Sequence, residues 1–267
     1  MKSNNNIIKV NDSLEKIKNT FLSFDETNDY KLQANRKGIA FKTILLLLIT
    51  SITAIAFFMI FKNRLNIGNY GVSSLYYVML ILCFASIFVY QMGMTQIHNS
   101  KMLSLLYVFI EGLFLSVLLI FVNVVYNKWI DIAFIAIFST VIVFLIMAHA
   151  YYKGILKVTN RFRTIMFNCG AALLIAYLVR LVLIMFGIGT LENIIHHSIL
   201  TIPISLVMLV FVSLQLALNF DYTEKMIQQG MPKKYEWQIS LIFASTLIHI
   251  FIRIFSLLLR LMGDTKK

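Results

Sequence analysis

The sequence predicts an all-α integral membrane protein, a seven-helix bundle, and three observations predict it. Of the 267 residues, 59% are hydrophobic and only 13% charged, where a soluble domain is roughly half apolar and a quarter charged. Seven apolar runs each come close to the roughly 20 residues a helix needs to cross the hydrocarbon core. None of the runs shows the short alternating pattern of a membrane barrel strand.

The first element, residues 1–38, is a polar tail. Within it Ile7, Val10, Leu14, Ile17, Phe21 and Phe24 recur at steps of three and four, the spacing of one helix face. Asp12 followed by Glu15 resembles a capping box, so a helix is expected to begin near Ser13. An amphipathic helix on the inner membrane surface, a partner-binding helix and a frayed tail all fit this pattern. The tail is too long for the n-region of a cleaved signal peptide, so the first span is expected to stay as an anchor.

The spans are expected at Ile39–Phe61, Val72–Tyr90, Met102–Val124, Ile130–Tyr151, Thr164–Phe186, His196–Leu218 and Trp237–Leu261. They make a transmembrane domain over residues 39–262, with 263–267 as a short tail. Cys83 and Cys169 each lie inside an apolar run, where the expectation is a small buried hydrophobe and no disulfide. Pro203 is expected to kink the sixth span by leaving the carbonyl of Ile199 unpaired, with Thr201 and Ser205 near enough to compensate. Between the last two spans the apolar run ends at Asn219-Phe220-Asp221. A loop carrying Glu224, Lys225, Gly230, Pro232, Lys233, Lys234 and Glu236 is expected to follow.

The formal charge of +12 belongs to the flanks of the spans. No soluble region is long enough to present a basic face, which excludes nucleic acid as a partner. Counted over alternate loops, 15 Lys and Arg fall on the side of the N-terminus and 6 on the other. The positive-inside bias therefore predicts a plasma-membrane protein with its N-terminus cytoplasmic and, after seven crossings, its C-terminus outside.

Ionisable groups inside the spans are the candidate site. Glu111 lies ten residues past Lys101, roughly 15 Å into the third span at 1.5 Å per residue. A carboxylate there is costly and faces the bundle interior with a partner. Two readings stay open: a protonated glutamic acid hydrogen-bonded across helices, or a working proton or cation site. Gly112 and Ser116 form a small-xxx-small face for close helix contact. Candidate partners for Glu111 are Arg180, which ends the stripe Asn168–Ala172–Ala176, and the pair His249 and Arg253, four residues apart on the seventh span. Either arginine alone also suits outward snorkelling. His196 and His197 are adjacent, about 100° apart on a helix, and so are poor co-ligands. His98 and His149 lie at a loop and a span end. Metal ligands stay unassigned and no cofactor is implied. There is no P-loop, G-x-S-x-G, HExxH or paired CxxC, so an enzyme is not expected.

Several stretches carry a family resemblance: RKGIAFKT entering the first span, LLYVFIEGLFLS around Glu111, KVTNRFR before the fifth, and above all NFDYTEKMIQQGMPKKYEW. Their order and spacing resemble the Bax inhibitor family in its bacterial, YccA-like branch, over roughly residues 37–263. The resemblance implies a fold in which a central seventh helix is surrounded by the other six. It also implies a proton-sensitive calcium leak, gated by two acidic residues near the cytoplasmic ends of the last two spans. Two close carboxylates share a proton cheaply and so make a latch. This chain departs from that pattern, with Asn219 at the first acidic position and Ile250, flanked by His249, at the last-span position. The latch is then absent or rebuilt around Asp221 and Glu224.

Two functions follow as expectations. The first is cation leak (calcium or protons), mediated or regulated through Glu111, Arg180, His249 and Arg253, with Asn219, Asp221 and Glu224 shaping the cytoplasmic mouth. The second is a non-conducting regulator that binds a membrane partner such as a quality-control protease. Lipid bilayer is a partner in both.

Overall fold

The computed structural model describes residues 33–62, 71–125, 129–155, 158–185 and 201–264, with a few side chains inside helices, Arg180 among them, left out. The tail pattern from Ile7 to Phe24, and His196 and His197, lie outside the described residues. Seven long helices make up the described chain: α1 (Arg36–Lys62), α2 (Gly71–Thr95), α3 (Ser100–Val125), α4 (Trp129–Tyr152), α5 (Asn160–Met185), α6 (Thr201–Gln228) and α7 (Glu236–Asp264). All but α5 are among the six stretches that by length and hydropathy are able to cross a membrane. The chain is an all-α membrane bundle.

The centre is α7, which packs against α1, α2, α3, α4 and α6, whereas α5 packs only on α6 among the substantial helix pairs. Its sequence explains the position. Ile239, Leu241, Phe243, Ala244, Leu247, Ile248, Ile250, Ile254 and Phe255 are all buried, so it is apolar around most of its circumference, as an enclosed helix must be. The outer helices are the reverse. Phe84 and Phe88 on α2 and Phe134 and Phe138 on α4 point outward, a face that hydrocarbon tolerates and water does not. Cys83 is half-buried, and Cys169 is exposed rather than buried, because its own helix, α5, packs substantially only on α6.

The small-residue face of α3 is used as its spacing suggests. A Cβ on Gly112 would stand 2.6 Å from Thr53 Cβ and 3.0 Å from the Thr50 carbonyl oxygen. Glycine therefore lets α1 and α3 meet almost backbone to backbone, and Ser116 one turn on is buried.

The sixth helix departs from expectation at one end. Pro203 lies near the start of its described part, and Ile199, whose carbonyl the kink would free, is outside the described residues. At the other end α6 runs ten residues beyond Leu218, to Gln228, and Asp221, Glu224 and Lys225 sit on helix, not loop. Glu and Lys are good helix formers, and Lys225 Nζ lies 3.1 Å from Asp221 Oδ2 one turn away, so the helix continues past the apolar run. It stops at Gly230, whose φ of 74° suits a residue without Cβ. There Gly230 N donates to Ile227 O at 3.0 Å and Met231 N to Met226 O at 3.2 Å, the Schellman pattern. Gly154 ends α4 in the same way, with Gly154 N on Tyr151 O and Ile155 N on Ala150 O, each at 3.0 Å.

A three-residue 3-10 turn, Lys233–Tyr235, leads straight into α7. The segment before α1 lies along this connection, with Ala34 N donating to Met231 O at 2.8 Å. The end of the bundle that carries Arg36, Arg163, Lys225 and Glu236 is called the basic end below.

Candidate functional site: a polar seam and an apolar groove on opposite faces of the central helix

At the basic end, α7 begins with Glu236, only 1% exposed. Its carboxylate accepts from Lys42 Nζ at 2.8 Å and from the Asn35 backbone N–H at 2.9 Å. Asn35 also caps α1, its Oδ1 accepting from Gly38 N. A Cβ on Gly38 would fall 2.5 Å from Glu236 Oε2, so the glycine makes room for the carboxylate. The Lys42 ammonium also stands 5.1 Å from the centroid of the Trp237 ring, and Lys101 approaches the same ring at 5.8 Å, both within cation–π range. Ser240 completes the clamp by donating to Ile39 O at 3.0 Å. One buried carboxylate thus ties the start of α1 to the start of α7.

From this clamp a strip of polar side chains descends between α2, α3 and α7. Gln238 Nε2 donates to the carbonyls of Gly93 at 3.1 Å and Met94 at 3.2 Å. Ser245 is seven residues further along α7, two helical turns, and so on the same face. The hydroxyls of Ser245 and Tyr90 share a hydrogen bond. Tyr90 packs on Tyr107 with ring centroids 5.7 Å apart. Tyr107 donates to Glu111 one turn below it, and Ser86 of α2 is hydrogen-bonded to the same carboxyl. The Ser86 hydroxyl also lies 3.0 Å from the Cys83 carbonyl. Glu111 is 5% exposed, so it faces the interior near mid-span with uncharged hydrogen-bond partners.

Of the expected cationic partners, His249 and Arg253 are not among the groups bonded to Glu111. The His249 ring donates to the backbone carbonyl of Ser245, and both His249 and Arg253 are exposed on α7. Arg180 is on α5, which makes no substantial contact with α3, and its side chain is not among those described. The structure therefore joins Glu111 to Ser86, Tyr107 and, through the tyrosine pair, Tyr90 and Ser245. The sequence reading missed these residues, although Tyr107 stands one turn before Glu111 and tyrosine is a natural donor to a buried acid.

The residues at the family's latch positions are also uncharged or separately paired. Asn219 Nδ2 donates to Thr246 Oγ1 at 2.7 Å, joining α6 to α7 without an ionisable group. Ile250 is fully buried among apolar side chains. Asp221 pairs with Arg163 of α5 and with Lys225. Glu224 pairs with Arg36 of α1 at 2.5 Å. Each carboxylate at this mouth is paired with its own arginine and not with the other carboxylate. Among the described residues no group of three or more His, Cys, Asp or Glu is arranged to hold a metal ion.

The opposite face of α7 is apolar. A groove of about 1600 Å³ runs between α1 and α4, floored by Leu115 and Leu118 of α3 and by Phe243, Leu247 and Phe251 of α7. It reaches from Arg36, Glu224 and Tyr151 at the basic end to Ile55 on α1 and Ala133 on α4.

A family model described as Bax inhibitor 1 like matches residues 14–263. The chain belongs to the Bax inhibitor family. No curated protein and no solved structure matches it. The match spans the described helices up to, but not including, the last residue of α7.

Proposed function

We propose that the protein mediates or regulates a leak of cations, calcium or protons, across the plasma membrane, with its N-terminus and basic end cytoplasmic and its C-terminus outside. The observation that carries this reading is Glu111: a carboxyl near mid-span, buried, and linked by Tyr107, Ser86, Tyr90 and Ser245 to the polar top of α7. Intramembrane carboxyls placed inside a bundle mark ion and proton paths. Family membership supports the same class of function. His249 and Arg253, one turn apart, are the next ionisable groups along α7 toward the opposite end.

The test is flux from liposomes holding purified protein and a calcium-sensitive or pH-sensitive dye. Wild type is expected to leak in a pH-dependent way and Glu111→Gln to lose that dependence while keeping its thermal stability. Absence of flux at every pH from folded protein ends the proposal.

A second reading has one observation in its favour. Asp221 and Glu224 are neutralised by Arg163 and Arg36, and Asn219 and Ile250 carry no charge, so the family's acid latch has no counterpart at the mouth. That favours a non-conducting regulator acting on a membrane protein partner through its basic end. Removal of residues 1–32 would then abolish partner capture while leaving the bundle folded.

A further inference from the structure

The groove between α1 and α4 has walls of unusual uniformity. Its hydroxyl side chains deep in the span, Thr43, Thr50, Ser51 and Thr140, all spend their protons on carbonyls of their own helix one turn back, at 2.7–2.9 Å, and His149 lines it only near the basic end. They offer no free donor to a polar guest. Water in such a groove would lack the two to four partners it needs, and an empty groove would forfeit dispersion contacts along its whole lining. Such a lining suits hydrocarbon.

The basic end of the groove is different. Arg36 presents a guanidinium whose side chain is 69% exposed even though Nη2 contacts Glu224, leaving most of its five donors unused. Arg163 and Lys225 stand at the same end with Asp221, and Tyr151 sits within the electrostatic reach of both ion pairs. Three positive groups against two carboxylates leave one positive charge in excess, a match for a single phosphodiester. The groove is long enough. Arg36 to Ile55 is 19 residues of α1, roughly 28 Å, which takes in the roughly 15 Å that a chain anchored at one surface of the bilayer spans to the midplane.

We propose that this groove binds an anionic glycerophospholipid, with an acyl chain against α7 and its phosphate at Arg36. Such a lipid would fill the gap between α1 and α4, which do not pack substantially on each other, and would stiffen one wall of the bundle. Binding of this kind is independent of any ion flux.

The experiment uses the full chain in nanodiscs of phosphatidylcholine containing a minor fraction of phosphatidylglycerol with a photoactivatable group on one acyl chain. A parallel set carries the same group on phosphatidylcholine. After illumination, labelled positions are mapped by peptide mass spectrometry. The expected result is labelling concentrated at Leu118, Phe144 and Leu247, with phosphatidylglycerol favoured about fivefold, the factor one basic side chain contributes against an anionic lipid. Arg36→Gln should bring phosphatidylglycerol labelling down to the phosphatidylcholine level. Ile44→Trp, which projects an indole from an exposed groove position, should lower labelling from both lipids. Labelling spread equally over the outward face of α2 at Phe84 and Phe88, or equal labelling by both lipids in wild type, would overturn the proposal and leave only annular lipid.

Discussion

The two faces of α7 differ in kind. Toward α2 and α3 it presents Gln238 and Ser245 to a line of hydrogen-bonded groups ending at Glu111. Toward α1 and α4 it presents Phe243, Leu247, Phe251 and Phe255 to an apolar groove. On the seam, every polar group is committed to a partner inside the protein, so each deletion leaves another group stranded in a low-dielectric interior. On the groove, side chains meet hydrocarbon, whose loss or gain is spread over many weak contacts. Substitutions should therefore fall into a steep series on the seam and its clamp and a shallow one at the groove, and four experiments grade that contrast.

The largest effect is expected where the two faces meet, at the Lys42–Glu236 clamp. Glu236→Ala strands the Lys42 ammonium and the Asn35 N–H together, and losing one partner of a buried pair costs about 3–5 kcal/mol. Thermal unfolding of the purified protein in detergent should show it plainly. Replacing both partners, Lys42→Met with Glu236→Leu, should recover most of the loss; a double variant no better than the single would mean that Asn35, and not the ion pair, is the stabilising contact.

Next in size is Gly112→Ala. Its new Cβ meets Thr53 Cβ at 2.6 Å, and the overpacking should cost about 1–3 kcal/mol, read by the same melt. Gly170→Ala is the contrast, because its nearest neighbour, Phe211 Cζ, is 3.8 Å away. That change should be neutral or slightly stabilising. Equal losses at both positions would show that helix–helix approach at Gly112 is looser than its geometry.

The bundle was legible in the sequence because hydrocarbon leaves few alternatives. Backbone groups in lipid have to be satisfied within each span, so an apolar run such as Leu103 to Val124 reads directly as helix. The end of α6 was hidden for a related reason. Hydropathy falls at Asn219, but hydrogen bonding along the helix does not stop where apolar residues stop, and the stop signal that mattered was Gly230. Glu111 was legible as an interior group, since a carboxylate has nowhere else to go. Its partners were not, because the choice among Arg180, His249, Arg253 and the tyrosines depends on helix rotation, and spacing along one helix fixes faces without saying which neighbour each face meets. Lys42 was the overlooked clue: an ammonium six residues into a span demands a carboxylate, and Glu236 answers it.

The third experiment stays on the seam. Tyr107→Phe keeps the ring that packs on Tyr90 and removes one of the two hydrogen bonds to Glu111. Hydrogen bonds between helices in membranes are worth about 0.6 kcal/mol on average and about 1.7 at most, and the loss of this bond within α3 should not exceed that range. The same variant in the liposome assay separates the two readings of Glu111. A structural acid predicts a small drop in stability and no other change, whereas a working acid predicts a shifted pH response of the flux.

The smallest effect is expected at the groove mouth, and it is the sharpest comparison with the clamp. Arg36–Glu224 and Lys42–Glu236 both join a basic residue of α1 to a glutamate on a later helix, and both are short. They differ in solvent: the Arg36 side chain is 69% exposed and the Lys42 side chain 15%. A double-mutant cycle of Arg36→Gln with Glu224→Gln, read by thermal unfolding, should return a coupling of about 0–1 kcal/mol. A coupling as large as that of the clamp would mean that the mouth is dry, with the Arg36 donors already committed and no vacancy for a phosphate. A small coupling leaves Arg36 held loosely by Glu224, which is the condition under which a stronger anion at the membrane surface takes over its guanidinium.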